Sequence, residues 1–279
     1  MTQPAVQRWA AFTNDPAGGN PAGVVTGADE LDPAEMQRIA ADVGYAETAF
    51  VTGTGRSRGI RYYSPVAEVP FCGHATIASA VALATELGDG VFSFSTPVGP
   101  VDIVTRTDAA GRSAAFTSVE PWVRFLPDAS LDAVLDLIGL TRDDLDPRHP
   151  PRLSFAGNAH PLLVLADRSA FDAFVFDPDR ARALMDAESW PATIIVLHEL
   201  DGGRWEARNI FPVGRIVEDP ATGAAAAATG GYLRATDAVD TPARIVIEQG
   251  RHVGRPGLLT VDIPVAGGIT VSGTAVPID

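Results

Sequence analysis

The chain has 279 residues, of which 46% are hydrophobic and 20% are charged, a composition typical of a folded globular protein. Its formal net charge of −14 argues against binding to nucleic acid or to an anionic membrane surface, because both require a positive surface. All 21 basic residues are arginine, which excludes chemistry that needs a lysine, such as a pyridoxal phosphate Schiff base or the lysine of a Walker phosphate loop.

Several features of the chain predict a cytoplasmic location. Cys72 is the single cysteine and cannot form an intrachain disulfide. The first nine residues lack the charged start and apolar stretch of a signal peptide, and no apolar run is long enough to span a bilayer. We therefore expect neither a membrane nor a nucleic acid as partner.

In the first half of the chain, two helices are predicted among short strands. Asp32 is the expected N-cap of the first helix, with Pro33 at its first position. The second helix has almost no polar face, so we expect it to be buried on all sides, and Gly88 should end it. The predicted elements are a strand over 5–12, a turn over 15–23, a helix over 32–43, strands over 48–53 and 59–64, a helix over 74–87, and strands over 91–96, 98–105 and 113–118.

The second half repeats this order after 119–130, which is the best linker candidate because it carries Pro121 and Pro127. The predicted elements are helices over 130–138, 178–186 and 222–235, and strands over 152–156, 160–166, 192–198, 204–211, 243–248, 258–263 and 268–273. The simplest architecture for this pattern is α+β, with a curled mixed sheet around a buried helix formed twice.

Two segments look like copies of each other, one starting at Arg61 and the other at Arg208. Aligned without gaps at a constant offset of 147, Pro65 falls on Pro212 and Cys72 falls on Asp219. A residue able to move protons then lies at the same point in each half. We infer two similar domains that face each other, with a site between two helix N-termini that suits an anion.

Four residues are candidates for chemistry, and each also has a structural interpretation. The local potential of a helix N-terminus can tune the thiol of Cys72 and the imidazole of His74. For Cys72 alone, a buried structural cysteine is favoured, whereas His74 at a tight glycine turn favours function. Asp219 is either a helix N-cap or a carboxylate aimed at a ligand. Glu47, at the start of an apolar strand, is either a solvated side chain or a general acid/base.

Other motifs carry less information. The segment 18–23 could place backbone N–H groups around an oxyanion, although most such Gly/Pro clusters are turns. The five histidines and one cysteine show no metal-ligand spacing, so no metal is predicted.

Four motifs, in order, resemble those of the PhzF-type phenazine-biosynthesis isomerases of the diaminopimelate-epimerase-like superfamily. They begin at Gly19 (Gly-Asn-Pro-Ala-Gly), Glu47 (Glu-Thr-Ala-Phe-Val), Cys72 (Cys-Gly-His-Ala-Thr) and Glu218 (Glu-Asp-Pro-Ala-Thr-Gly). The resemblance covers the whole chain. It implies two pseudo-symmetric domains, over 1–120 and 121–264, with a strand at about 265–279 returning to the first. It also implies cofactor-independent proton transfer on a small carboxylate-bearing substrate, and a homodimer.

The resemblance also assigns roles residue by residue. Glu47 matches the general acid/base in the interdomain cleft, His74 and Asp219 match supporting catalytic residues, and Asn20 and Gly73 match turns that shape the cleft. Cys72 resembles the first of two cysteines in related racemases, and the second falls at Asp219, which argues against a two-thiol mechanism.

The chain departs from the family pattern at Ala224, where a serine usually helps to hold the substrate carboxylate. Binding should then rest on the backbone N–H groups of Gly223 and Ala224 and on Thr222. The favoured hypothesis is an isomerase or epimerase. A catalytically inactive small-molecule binding protein of the same fold, suggested by Ala224, and a thiol-dependent enzyme using Cys72 are the alternatives.

Overall fold

The computed structural model describes residues 5–213 and 216–279. The chain divides into two compact units, Met1–Thr117 with Ser272–Asp279 and Ser118–Val271. Residues 1–4 lie outside the described residues, and they belong to the N-terminal stretch considered above for a signal peptide. In the part of the chain that is described, no helix combines the length and the apolar character needed to cross a membrane.

In the part of the first unit that the structure describes, two α-helices and most of the strands lie before residue 118. Its helix at 33–43 begins as predicted, because the Asp32 carboxylate accepts the Glu35 N–H at 2.9 Å and the Glu35 carboxylate accepts the Asp32 N–H at 3.1 Å. The elements are β1 (Val6–Ala11), β2 (Asn20–Thr26), α1 (Pro33–Val43), β3 (Glu47–Thr52), β4 (Ser57–Tyr63), β5 (Glu68–Val69), α2 (Gly73–Leu87), β6 (Gly90–Thr96), β7 (Gly99–Asp108) and β8 (Gly111–Thr117).

The described residues of the second unit form four α-helices, and the last strand of the chain belongs mostly to the first unit. The elements are β9 (Trp122–Phe125), α3 (Asp128–Leu137), β10 (Arg152–Phe155), β11 (Ala159–Val164), α4 (Arg168–Ala173), α5 (Pro178–Ala187), β12 (Ile194–Glu199), β13 (Arg204–Val213), β14 (Ile216–Asp219), α6 (Gly223–Ala235), β15 (Ala243–Gln249), β16 (Gly257–Ile263) and β17 (Thr270–Pro277).

The strands of the first unit close into a ring around α2. Hydrogen-bonded neighbours follow the order β1, β2, β3, β4, β6, β7, β8 and β17, and β17 pairs again with β1. The pairs β2–β3 and β4–β6 are parallel, so the sheet is mixed. Residues 74–84 of α2 are all buried, as its lack of a polar face predicts.

The second unit also wraps a mixed sheet around a buried helix, α6. Its strands pair in the order β9, β10, β11, β12, β13, β15 and β16, and the parallel pairs are β11–β12 and β13–β15. Residues 225–233 of α6 are buried. A second apolar cluster packs α3, α4 and α5 outside this sheet, around Val134, Phe171 and Met185. The predicted α+β architecture, a curled mixed sheet around a central helix, is confirmed in each unit.

Two local predictions are wrong because strand pairing overrides turn chemistry. The predicted turn over 15–23 ends at Gly19, and β2 begins at Asn20, which pairs with Ala11. Gly19 has φ +56°, and a Cβ there would lie 2.2 Å from the Ala11 carbonyl oxygen, so this turn requires glycine. The predicted linker over 119–130 contains β9, which pairs with β10, and the start of α3.

Candidate active site

Three of the predicted residues of the first unit form one cluster. The Cys72 Sγ lies 3.5 Å from Glu47 Oε2 and 3.3 Å from His74 Nδ1. The His74 Nε2 lies 3.5 Å from the same Glu47 oxygen. A carboxylate, a thiol and an imidazole therefore meet at one point, although they come from segments 25 residues apart.

The local fold explains why these side chains converge. Glu47 is the first residue of β3, and it lies level with Ala22 on the parallel strand β2. Cys72 is the N-cap of α2, with extended backbone at φ −142° and ψ 111°, and Gly73 is the first helical residue. The start of β3 and the start of the buried helix thus lie side by side, with Gly73 between the two reactive groups of the helix.

A hydrogen-bonded chain holds the start of α2 in place. The buried hydroxyl of Tyr62 lies 2.6 Å from Thr76 Oγ1, and Thr76 Oγ1 donates to the Cys72 carbonyl oxygen at 2.6 Å. The Thr76 N–H donates to the same carbonyl at 3.0 Å. The N-cap backbone is therefore fixed to a strand of the surrounding sheet through Tyr62.

Burial keeps His74 neutral. The side chain is 7% exposed, and loss of hydration lowers its pKa from 6.5 to about 3. The 3.5 Å contact between His74 and Glu47 is therefore not an ion pair near neutral pH. His74 can therefore donate or accept a hydrogen bond near neutral pH, while Glu47, with its side chain 15% exposed, keeps access to solvent.

Asn20 occupies the first position of β2, the strand next to β3, and it is buried. Further along β2, Gly23 brings the backbone against Thr48, because an added Cβ would lie 2.6 Å from its Oγ1. The glycine-rich motif near the N-terminus therefore allows β2 to pack closely beside the strand that begins with Glu47.

The second unit holds the remaining predicted residues at the start of α6. Thr222 is the N-cap, Gly223 and Ala224 open the helix, and Thr222 Oγ1 lies 2.5 Å from Asp219 Oδ2. Asp219 is buried, whereas Thr222 and Ala224 are half-buried. The sequence-based interpretation of Asp219 as a helix N-cap is wrong, since Thr222 takes that position.

Gln249 also contacts this turn and was missed by the sequence analysis. It donates to the Asp219 carbonyl oxygen at 2.6 Å and to Thr222 Oγ1 at 2.9 Å. A sequence signal for it exists, because Ile245, Ile247 and Gln249 alternate along β15 on the buried side. A glutamine that ends an apolar face is a candidate for a buried polar contact.

Strand register corrects the pairing of Cys72 with Asp219. Tyr62 pairs with Val69 in β4–β5, and Asn209, which is its counterpart at offset 147, pairs with Asp219 in β13–β14. The counterpart of Asp219 is therefore Val69.

The counterpart of Cys72 is the other N-cap, Thr222, at an offset of 150. The gap-free alignment fails because Ile210 and Glu218, which pair with each other, are three positions further apart than Tyr63 and Glu68. Thr222 is not a thiol either, so the argument against a two-thiol mechanism is unchanged.

The arginines that begin the two similar segments, Arg61 and Arg208, each form an ion pair with a glutamate. Arg208 and Glu218 form a buried ion pair, and Arg208 also donates to the carbonyl oxygens of Phe171 and Phe174 at 3.1 and 2.9 Å. In the first unit, Arg61 forms the matching pair with Glu68 at 2.7 Å, where both side chains are more than one-third exposed. Each ion pair links the short strand before the central helix to its neighbouring strand, β5 to β4 in the first unit and β14 to β13 in the second.

Three groups among the described residues have donor atoms close enough to hold a metal ion. Two of them already contain arginine: Arg148 pairs with both Asp146 and Glu199, and Arg168 and Arg251 both pair with Glu206. These cations neutralise carboxylates that a metal would need. The third group is Glu47, Cys72 and His74, whose ligand atoms lie within 4.8 Å of one another. Sequence spacing did not reveal this group, because Glu47 and Cys72 lie 25 residues apart. The absence of a metal stays a prediction.

Comparisons with known proteins identify the family. The model of the phenazine biosynthesis-like protein family, PhzC-PhzF, matches residues 9–279. The trans-2,3-dihydro-3-hydroxyanthranilate isomerase of Pseudomonas aeruginosa is 33% identical over 253 residues, which cover 88% of this chain and 85% of the relative.

Solved structures agree with this assignment. A PhzF-family phenazine biosynthesis protein of Bacillus anthracis superposes with a TM-score of 0.87 and 26% identity, covering 100% of this chain and 98% of that one. A hydroxyproline epimerase of Agrobacterium vitis shares the fold, with a TM-score of 0.62 and 15% identity over 98% of this chain and 90% of that one. The chain therefore belongs to the phenazine biosynthesis-like PhzC-PhzF family and is an isomerase.

Proposed function

We propose that this isomerase moves a proton on a small carboxylate-bearing metabolite without a cofactor, with Glu47 as the general acid/base. The observation that carries this proposal is the cluster of Glu47, Cys72 and His74 at the start of α2. Glu47 is the one carboxylate in this cluster, and it is partly exposed and so able to meet a substrate.

In the proposed reaction, Glu47 removes a proton from a carbon next to a carboxylate-bearing or conjugated centre and returns it to another position or face. Proton transfer by a positioned side chain typically accelerates such a step about 10²- to 10⁴-fold. The first turn of α2, beginning at Gly73, presents backbone N–H groups that favour the negative charge developing on the substrate. Neutral His74 orients the substrate through a hydrogen bond.

The start of α6 has a separate proposed role in binding. The N–H groups of Gly223 and Ala224 suit a carboxylate group, whereas the Thr222 hydroxyl donates its proton to Asp219, and Asp219 suits a donor group of the substrate. Because Ala224 lacks the hydroxyl of the usual serine, the substrate can differ from that of the phenazine enzyme. A homodimer and a cytoplasmic location stay predictions.

The test is deuterium incorporation in D₂O. The protein would be incubated with trans-2,3-dihydro-3-hydroxyanthranilate, the compound in the name of the Pseudomonas relative, and with a panel of amino acids and hydroxy acids, followed by mass spectrometry. We expect label with wild type and at least a 100-fold slower rate with Glu47→Gln.

Glu68→Gln is the matched control, because Glu68 pairs with Arg61 at the surface and should leave the rate unchanged. Equal rates for Glu47→Gln and wild type would refute the role of Glu47. If wild type binds a carboxylate but labels no compound of a broad panel, the binding-protein alternative gains support.

A further inference from the structure

Gln249 is buried at the end of β15, and all of its hydrogen-bonding groups contact the turn before α6. Its Oε1 accepts the Thr222 backbone N–H at 3.2 Å. Its Nε2 donates to the Asp219 carbonyl oxygen at 2.6 Å and to Thr222 Oγ1 at 2.9 Å. Gln249 is only 3% exposed, so these hydrogen bonds are shielded from solvent.

These contacts determine which end of the amide is oxygen. A backbone N–H can only donate and a backbone carbonyl can only accept, so the atom facing the Thr222 N–H must be oxygen and the atom facing the Asp219 carbonyl must be nitrogen. The second N–H of the same nitrogen then points at Thr222 Oγ1. The amide has a single allowed orientation.

That orientation also sets the direction of the next hydrogen bond. Because Thr222 Oγ1 accepts from Gln249, its single proton is free to point at Asp219 Oδ2, 2.5 Å away. The chain therefore runs from the Gln249 amide through the Thr222 hydroxyl to the Asp219 carboxylate. Asp219 is met by a donor, as a carboxylate acceptor requires.

The backbone next to Gln249 also packs tightly against the turn before α6. Gly250 has φ +91°, and a Cβ there would lie 2.4 Å from the Pro220 carbonyl oxygen. The strand end thus packs directly against the residue that follows Asp219, which limits movement of the turn.

The first unit has no such contact at the matching place. Gly59 pairs with Ser95 in β4–β6, which places Thr96 where Gln249 stands in the second unit. The Thr96 hydroxyl donates to the Gly99 carbonyl oxygen at 2.7 Å and accepts the Val98 N–H at 3.2 Å, so it stabilises its own turn. At this position of the sheet, the amide contact to the turn before the central helix therefore belongs to the unit that carries Asp219.

We propose that Gln249 is a positioning residue of the isomerase, which orients the Thr222 hydroxyl so that Asp219 faces the substrate as a hydrogen-bond acceptor. The proposal rests on the role assigned to Asp219 under the proposed function. Gln249 itself does not touch the substrate and acts only through the Asp219–Thr222 turn.

The first experiment needs no activity. A neutron crystal structure of the deuterated protein locates the Thr222 hydroxyl deuterium. We expect it on Oγ1 pointing at Asp219 Oδ2, with both Gln249 deuterons on Nε2. A Thr222 deuterium that points away from Asp219 would overturn the proposal, whatever the reaction turns out to be.

The second experiment measures deuterium incorporation for Gln249→Met, Thr222→Val and the double variant. Gln249→Met keeps the side-chain length but removes the three hydrogen bonds, and we expect about a tenfold lower kcat with KM changed less than threefold. If the residues act as one chain, the double variant loses no more than the more damaged single variant.

Two variants separate positioning from stability. Thr222→Ser keeps the hydroxyl and should restore kcat to within about twofold of wild type. Gln37→Met removes a similar amide contact, to the Ser64 carbonyl at 2.8 Å in the first unit, and should leave kcat unchanged.

Strictly multiplicative losses in the double variant, or full kcat in a folded Gln249→Met, would overturn the proposal. Failure of wild type to label any substrate would count against the proposed function alone, and the neutron result would still decide the role of Gln249.

Discussion

Acidification should destabilise this protein through His74, and the substitution His74→Asn should remove that part of the pH dependence. The imidazole is buried and neutral, and its pKa falls from 6.5 in the unfolded chain to about 3 in the folded protein. The unfolded state therefore binds one more proton than the folded state between these values. Above about pH 6.5, His74 is neutral in both states and does not lower the free energy of unfolding. As the pH falls from 6.5 towards 3, protonation of His74 in the unfolded chain lowers that free energy progressively.

The magnitude follows from this difference in proton binding. Each pH unit below 6.5 removes about 1.4 kcal/mol from the free energy of unfolding, which amounts to about 2 kcal/mol between pH 6.5 and 5. His160 is also fully buried, and its pKa falls to about 4, so it adds a similar loss over the same interval. Together, about 4 kcal/mol is a large part of the 5–15 kcal/mol that stabilises most domains.

The assay is urea unfolding at several pH values between 7.5 and 5, followed by circular dichroism. Between pH 6.5 and 5, the free energy of unfolding of wild type should fall more steeply than that of His74→Asn, by about 1.4 kcal/mol per pH unit. Cys72→Ser is the control, because it changes a neighbour 3.3 Å away and keeps the imidazole. Identical slopes for wild type and His74→Asn would refute the reasoning that His74 is neutral when folded.

Three further predictions follow from the site and its supports. Arg208→Met should lower the free energy of unfolding by about 3–5 kcal/mol because it leaves Glu218 buried without its ion pair, whereas Arg61→Met should lower it by less than about 1 kcal/mol; equal losses in urea unfolding would contradict this. Ala224→Ser should bind benzoate about threefold to tenfold more tightly, since it adds a donor at the start of α6, and calorimetry that shows no gain would count against carboxylate binding there. Cys72→Ser should keep its deuterium-incorporation rate within about tenfold of wild type, and iodoacetamide should inactivate wild type only slowly because the thiol is buried; rapid loss of activity on alkylation would favour a thiol-dependent enzyme.

Elements with local signals were predictable from the amino-acid sequence. The capping box at Asp32 depends on neighbouring residues, and the burial of α2 follows from a helix without a polar face, so both were predictable. The architecture followed because the same order of strands and a small-residue helix occurs twice. The family could be identified from four motifs.

Features that depend on contacts between distant segments could be read only from the folded chain. The stretch around Trp122 has the prolines of a linker, yet it forms β9 because β10 offers its backbone as a partner. The counterpart of Cys72 proved to be Thr222, since strand register, and not residue spacing, aligns the two units. Gln249 lies 30 residues from Asp219, and no local pattern specifies that its amide reaches that turn. Hydrogen bonds of this kind are satisfied across the folded sheet, so only the folded chain shows which polar groups meet.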